Sequence, residues 1–138
     1  MKYLGIDLGK NKTGLSVSDK TEKIVVPYKT LKINDKSLLL KEILKIINEL
    51  KIERVVIGYP LNINGTKSEQ TKYIEEFANE LQKNIGEKKV ILYNEKYTTI
   101  NADLILKEFV DSRKKRSKKL DEISALIILR DYLNSKKE

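Results

Sequence analysis

The spacing of apolar residues changes at Asp35. Over residues 3–8, leucine and isoleucine occupy every second position, a period that predicts a β-strand. Over residues 39–50, apolar residues recur every three to four positions, which predicts a helix that packs on a sheet. A chain that begins with strands and then changes to the helical period is typical of an α/β domain.

The same reasoning divides the rest of the chain into alternating elements. In the turn from Gly9 to Gly14, two glycines and Asn11 lead us to expect positive φ angles. The first three strands form an antiparallel meander, and two βα crossovers add two strands, which predicts a five-stranded mixed sheet flanked by helices. We expect a single domain over residues 1–138. The predicted strands are 3–8, 15–17, 24–31, 54–58 and 90–93, and the predicted helices are 35–50, 66–86, 100–110 and 120–133.

The residue counts exclude several kinds of chemistry. The chain contains no cysteine and no histidine. It therefore has no disulfide, no thiol nucleophile, no cysteine-ligated zinc and no imidazole base. Any catalysis must come from carboxylates, lysines, hydroxyls or a metal ion held by oxygen ligands.

Basic residues outnumber acidic ones. There are 28 Lys and Arg against 20 Asp and Glu, and the net charge is +8. This excess favours a polyanionic partner such as nucleic acid. No segment approaches the roughly 18 apolar residues that cross a membrane, and the first residues lack the apolar core of a signal peptide. We therefore expect a cytoplasmic protein with no membrane partner.

Three acidic residues stand at the ends of predicted elements. Asp7 lies near the end of the first strand, on the face opposite its leucines and isoleucine; Glu95 follows the fifth strand; and Asp121 begins the last predicted helix, where its charge also suits the helix dipole. Singly, each has an ordinary explanation as a turn, loop or helix-start residue. Brought to one sheet edge, they would repel one another unless a divalent cation neutralised them. Such a cluster can hold Mg²⁺ or Mn²⁺ for phosphodiester hydrolysis without histidine.

Polar and basic residues near these acids are candidates for phosphate contacts. The turn after Asp7 carries lysines between glycines, Asn62 follows the fourth strand at the edge where open α/β sheets bind ligands, and a predicted basic loop precedes Asp121. Each also has a structural explanation as a polar turn or a solvated connector. The candidate nucleic-acid-binding residues are Lys10, Lys12, Asn62, Lys96, Arg113, Lys114, Lys115 and Arg116.

Four segments carry a resemblance to a known family. They are Gly5-Ile6-Asp7-Leu8-Gly9 with its turn to Gly14, Ile57-Gly58-Tyr59-Pro60-Leu61-Asn62 with Gly65-Thr66, Asn94-Glu95-Lys96-Tyr97-Thr98-Thr99, and Lys119-Leu120-Asp121 before Ala125-Leu126-Ile127-Ile128-Leu129. In this order and spacing they resemble the YqgF/RuvX family of RNase H-like proteins, described both as pre-16S rRNA nucleases and as Holliday junction resolvases. The resemblance covers essentially the whole chain.

The resemblance implies a function and a site. It implies an RNase H-like nuclease that processes the 5′ end of the small-subunit rRNA precursor in the bacterial cytoplasm. It also implies that Asp7, Glu95 and Asp121 form the catalytic, metal-binding triad with Mg²⁺ or Mn²⁺ as cofactor. Where the family usually has Asp-Glu-Arg, this chain has Asn94-Glu95-Lys96, which keeps a cation but loses the bidentate fork of arginine. The run from Arg113 to Lys119 is also unusually basic.

Other functions remain open from the residues alone. A DNA junction endonuclease would use the same phosphate contacts and metal chemistry. A ribosome-maturation factor that binds nucleic acid without cutting it would not need three carboxylates. The opening strand-turn-strand also resembles the phosphate-binding hairpin of actin-like ATPases, but 138 residues leave no room for their second lobe. The predicted partner is an rRNA precursor or another structured nucleic acid, and we expect a monomer or a weak homodimer.

Overall fold

Three strands open the chain, and helices and strands alternate after them, as the sequence predicts. A computed structural model describes residues 1–59, 69–94 and 113–136. The elements within these ranges are β1 (Tyr3–Leu8), β2 (Thr13–Ser18), β3 (Val25–Leu31), α1 (Lys36–Leu50), β4 (Arg54–Tyr59), α2 (Glu69–Asn84), β5 (Lys89–Asn94) and α3 (Arg113–Lys136). The helix predicted at 100–110 lies outside the described residues, as does the predicted start of α2 at Thr66.

The five strands form one mixed sheet in the order β3-β2-β1-β4-β5. β1 and β2 are antiparallel, as are β2 and β3, whereas β4 runs parallel to both β1 and β5. This confirms the predicted meander extended by two crossover-connected strands. β1 therefore occupies the centre of the sheet, and the side chains at its carboxyl end lie far from either edge strand.

The alternation in β1 assigns its side chains to two separate cores. Leu4, Ile6 and Leu8 are buried on the face that α1 and α2 cover. Tyr3 is buried on the opposite face with the apolar residues of α3, which confirms that odd-numbered residues of β1 point away from the leucines. Asp7 shares that parity, and the face under α3 is therefore the one that carries its carboxylate.

Helix α1 begins where the apolar period changes. The Asp35 carboxylate accepts hydrogen bonds from the backbone N–H groups of Ser37 and Leu38, at 2.9 and 3.1 Å, which satisfies two of the free donors at the helix start. The helix ends at Leu50, and the φ of 56° at the following residue, Lys51, turns the chain back towards β4. No helix in the described ranges combines the length and hydropathy needed to cross a lipid bilayer.

Helix α3 begins earlier than the sequence pattern predicts. The basic run from Arg113 to Lys119 forms its first two turns, and the prediction that this run is a loop before Asp121 is wrong. Lysine and arginine are good helix formers, and a run of them can extend a helix without an apolar stripe. Asp121 is consequently more than two helical turns past Arg113, and it is not at the helix start.

Small residues let α3 approach the sheet closely. A Cβ atom on Gly5 would lie 2.8 Å from the Leu129 Cβ and 2.9 Å from the Ala125 carbonyl oxygen. The Ser16 hydroxyl donates a 2.7 Å hydrogen bond to that same carbonyl, and it is fully buried. This bond joins the middle of β2 to the middle of α3 and fixes where the helix crosses the sheet.

The turn between β1 and β2 is built differently from the prediction. Gly86 has a positive φ, but Gly9, Asn11 and Gly14 do not, so the expectation of left-handed residues in this turn is wrong. A Cβ atom on Gly9 would lie 2.2 Å from the Lys12 carbonyl oxygen. The glycines here provide room for close backbone contacts rather than unusual backbone angles.

Candidate active site

Asp7 lies between two strands that present glycine beside it. It pairs with Gly14 of β2. On its other side, Ile6 pairs with Ile57 of β4, and the residue after Ile57 is Gly58. Neither neighbour has a side chain, so the Asp7 carboxylate is flanked by bare backbone on the face that α3 covers.

Helix α3 brings Asp121 over this position. A Cβ atom on Gly14 would lie 1.9 Å from the Asp121 carbonyl oxygen and 3.0 Å from the Glu122 nitrogen, so the helix backbone rests directly on β2. Because paired residues of neighbouring strands share a face, Asp121 stands over the pair that Gly14 forms with Asp7. The structure thus brings together two of the three acids that the sequence singled out.

The Asp7 carboxylate is buried and lies close enough to Asp121 to be affected by its charge. Burial, and to a smaller extent the negative charge of Asp121, raise the pKa of Asp7 from its ordinary 3.8 to about 6. A buried carboxylate beside a second carboxylate is costly to ionise unless a cation is near. The pair therefore has the donor chemistry of a site for a hard divalent ion, which prefers carboxylate oxygens.

The third predicted acid lies outside the described residues. The described part of β5 ends at Asn94, which pairs with Tyr59 at the end of β4, and Glu95 follows it in the chain. Asn62 and Lys96 also lie outside the described ranges. In the ranges that the structure does describe, no group of three carboxylates is close enough to share a metal ion.

The predicted basic residues fall in two places. Lys10 and Lys12 are exposed in the turn that directly follows β1. Arg113, Lys114, Lys115 and Arg116 form the first turn of α3, two turns before Asp121 on the same helix. The two lysines follow β1, which carries Asp7, and the basic turn begins α3, which carries Asp121.

Several residues that position the site were not singled out from the sequence. Gly14 lets α3 lie close to β2, and the hydrogen bond of Ser16 fixes where the helix crosses the sheet. Both belong to the small residues that occupy every second position of β2. At the end of β4, the Tyr59 hydroxyl donates a hydrogen bond to the Glu75 carboxylate of α2. This contact anchors the strand end that leads into the segment containing Asn62.

Comparisons with known proteins agree on one family. A family model described as "RuvX: Holliday junction resolvase" matches residues 1–135. A protein of Mycoplasma mobile named "Putative pre-16S rRNA nuclease" is 41% identical over 138 residues, covering 98% of this chain and 93% of that protein. A protein of Clostridium tetani with the same name is 38% identical over 135 residues, covering 98% and 97%.

Solved structures share the fold at low sequence identity. Fowlpox virus resolvase, solved in complex with Holliday junction DNA, has a TM-score of 0.65 and 16% identity, with both chains covered in full. RuvC of Thermus thermophilus, solved with a Holliday junction substrate, has a TM-score of 0.66 and 14% identity, covering 99% of this chain and 96% of that one. The sheet and its flanking helices therefore have the RNase H-like fold, as the sequence resemblance implies.

Proposed function

Since the chain belongs to the RuvX family, we propose that it is a metal-dependent nuclease that processes the 5′ end of the 16S rRNA precursor. The observation that carries this proposal is the approach of Asp121 to Asp7, which has a raised pKa, at the centre of an RNase H-like sheet. The rRNA substrate is supported by the names of relatives that are 33–41% identical over nearly the whole chain.

The proposed metal ligands are Asp7 and Asp121, with Glu95 completing the set. The fit rests on the chemistry of the two described groups, which are carboxylates whose mutual repulsion a cation would remove. A bound Mg²⁺ or Mn²⁺ would lower the pKa of a water and neutralise charge on the phosphate. Asp7, held between glycines on the central strand, and Asp121, held by the docking of α3, keep their carboxylates in place for that ion.

The basic residues are proposed to bind and orient the nucleic acid. Lys10 and Lys12 extend from the turn after β1, where their ammonium groups can contact phosphates next to Asp7. The basic first turn of α3 is proposed to contact phosphates farther along the strand. Contacts of this kind fix the register of a nucleic acid on the protein without reading its sequence.

Cleavage assays with two substrates test the nuclease and its substrate together. We expect the protein to cut an end-labelled 16S rRNA precursor in Mg²⁺ or Mn²⁺ and to be inactive with chelator. We expect Asp121→Asn to lower the cleavage rate by about a thousandfold, because it removes one of the two described carboxylates. A four-way DNA junction in parallel reactions identifies a resolvase if it is cut in preference to the RNA.

The matched control for this variant lies on the same helix. Asp131 is a half-buried aspartate of α3 outside the acidic pair, and we expect Asp131→Asn to cut at the wild-type rate. Equal losses in both variants would mean that the helix, rather than a metal-binding carboxylate, is being disturbed. If the wild-type chain binds the RNA but cuts neither substrate, the proposed nuclease is excluded, and the alternative of a ribosome-maturation factor is favoured.

The salt dependence of binding tests the basic first turn of α3. Replacing Arg113, Lys114, Lys115 and Arg116 by Gln is expected to flatten the plot of log binding constant against log salt concentration. Each lost phosphate contact lowers the slope by about 0.7 to 0.9, so four contacts account for about 3. Fluorescence anisotropy of a labelled precursor fragment at several salt concentrations measures the slope.

A second quadruple variant separates local contacts from net charge. Lys23, Lys32, Lys41 and Lys45 are exposed on other parts of the surface, and their replacement by Gln removes the same total charge. We expect that variant to retain most of the wild-type slope. Equal slopes for the two variants would place the nucleic-acid-binding surface somewhere other than the start of α3.

A further inference from the structure

A cleft opens on the face of the sheet opposite Asp7. It has a volume of about 550 Å³, within the range of small-molecule binding pockets. Its walls come from the end of β1, the turn after it, the first residues of α1 and the first described turn of α2. The residues that line it are Leu8, Lys10, Asn34, Lys36, Glu69, Gln70 and Tyr73.

The lining combines groups suited to a nucleobase with groups suited to a phosphate. The half-buried ring of Tyr73 offers apolar surface on which a base can stack, and the buried Leu8 lies beneath the cleft. Asn34 and Gln70 carry side-chain amides, which pair with the edges of bases. Lys36 forms an exposed ion pair with Glu76 at 3.5 Å, and a pair of this kind is weak enough to leave the ammonium group for a phosphate.

The cleft and the acidic pair are connected through two consecutive residues of β1. Leu8 lines the cleft on one face of the sheet, and Asp7 carries its carboxylate on the other. Lys10, in the turn that follows, lines the cleft as well. A nucleic-acid strand that crosses the carboxyl end of β1 can therefore place a phosphate at Asp7 and a neighbouring base in the cleft.

We propose that this cleft binds one unpaired nucleotide adjacent to the scissile phosphate. This inference rests on the proposed nuclease function and adds to it that the substrate is single-stranded next to the cut. A base whose edge hydrogen-bonds to Asn34 and Gln70 cannot pair with a complementary base at the same time. Lys10 and Lys36 supply the positive charge that the phosphates of such a nucleotide require.

Fluorescence of 2-aminopurine tests the occupant directly. The probe is a short RNA strand with one 2-aminopurine, titrated with the Asp7→Asn protein so that no strand is cut. We expect the emission to change on binding, since a base stacked on Tyr73 is taken out of water. Annealing a complementary strand is expected to abolish this change. The double variant Asn34→Ala and Gln70→Ala should weaken binding of the single strand by about tenfold.

Matched variants make the result specific to the cleft. Asn34 and Gln70 are exposed, so their replacement should leave the melting temperature unchanged. Asn79 is an exposed amide on the same helix as Gln70, and Asn79→Ala is expected to bind like the wild type. Gln70→Trp, which narrows the cleft, should reduce the emission change.

The outcomes separate this inference from the proposed function. One outcome is that the emission change is the same whether the cleft is unaltered, carries Gln70→Trp or carries the double variant. The cleft then holds no base, even if the wild-type protein cuts RNA. If the cleft variants lose the change while the wild-type protein cuts nothing, the nucleotide site stands and the nuclease proposal fails. Equal binding of single-stranded and duplex probes would also overturn the inference.

Discussion

Above about pH 7 and without divalent metal, Asp7→Asn is expected to make the protein more stable, and in the presence of metal it is expected to cut far more slowly than the wild type. Burial and the charge of Asp121 raise the pKa of Asp7 to about 6 from 3.8. The ionised carboxylate therefore destabilises the folded chain by about 3 kcal/mol, a cost that the uncharged amide does not carry. Cleavage is expected to fall by about a thousandfold or more, since a proposed metal ligand is lost.

The direction of the pH dependence follows from which state holds the proton. Between pH 3.8 and about 6, the folded chain keeps a proton on Asp7 that the unfolded chain has released. The free energy of unfolding of the wild type therefore falls as pH rises through this window, and the fall is complete above it. Asp7→Asn lacks this contribution. The free energies of unfolding of the two proteins should therefore be equal near pH 3.8 and should differ most above about pH 6.

Denaturant titrations at several pH values measure this difference. Glu87→Gln removes an exposed carboxylate, and we expect it to leave stability unchanged across the same range. Adding Mg²⁺ or Mn²⁺ should raise the stability of the wild type and not of Asp7→Asn, because a ligand stabilises only a state that binds it. If Asp7→Asn is no more stable than the wild type in neutral buffer, Asp7 is not a buried carboxylate in solution.

Gly14→Ala is expected to damage both the fold and the site. The added Cβ atom would lie 1.9 Å from the Asp121 carbonyl oxygen and 2.3 Å from the carbonyl carbon, and these are backbone atoms that cannot rotate away. Helix α3 must then shift away from β2. We expect a loss of about 3 kcal/mol, at the high end for overpacking, and a melting temperature lower by about 10 °C.

The shift should be visible in activity at temperatures where the variant is folded. Displacing Asp121 by about 1 Å is enough to lower the cleavage rate roughly a hundredfold. Gly86→Ala is the control: its added Cβ atom meets nothing within 4 Å, and the cost is only about 1 kcal/mol for a residue at positive φ. A Gly14→Ala variant that melts and cuts like Gly86→Ala would show that α3 does not press on β2.

The sheet could be predicted from the sequence because its signal is local. The alternation over residues 3–8 assigned each side chain of β1 to a face, and the two cores confirm that assignment. The change of period at Asp35 coincides with the residue that caps α1. In both cases the information lies within a few neighbouring residues.

The start of α3 and the role of Gly14 could not be predicted in the same way. Residues 113–119 contain no apolar residue to mark a helical stripe, so only the moderate preference of lysine and arginine favoured a helix there. Glycine has two uses, to permit a positive φ or to leave room for another backbone, and the sequence does not separate them. Which one applies at Gly14 depends on Asp121, which is distant in the chain.

The acidic pair was predicted as a set, but its geometry was not. The residues singled out Asp7 and Asp121 by their positions near predicted element ends, and for Asp121 that position is wrong. What brings it to Asp7 is the way α3 lies across β2, fixed by the contact at Gly14 and the hydrogen bond of Ser16. These are tertiary contacts, and no short sequence pattern contains them.

The hydrogen bond between Ser16 and Ala125 also bears on the order of folding. It joins residues 109 positions apart, and contacts that close long loops are entropically costly and slow to form. All five strands and both helices of the first core lie within the first 94 residues, whereas Asp121 arrives only when α3 docks. A folding chain that has formed its sheet but not docked this helix holds Asp7 without Asp121, so the proposed metal site is complete only once α3 has docked.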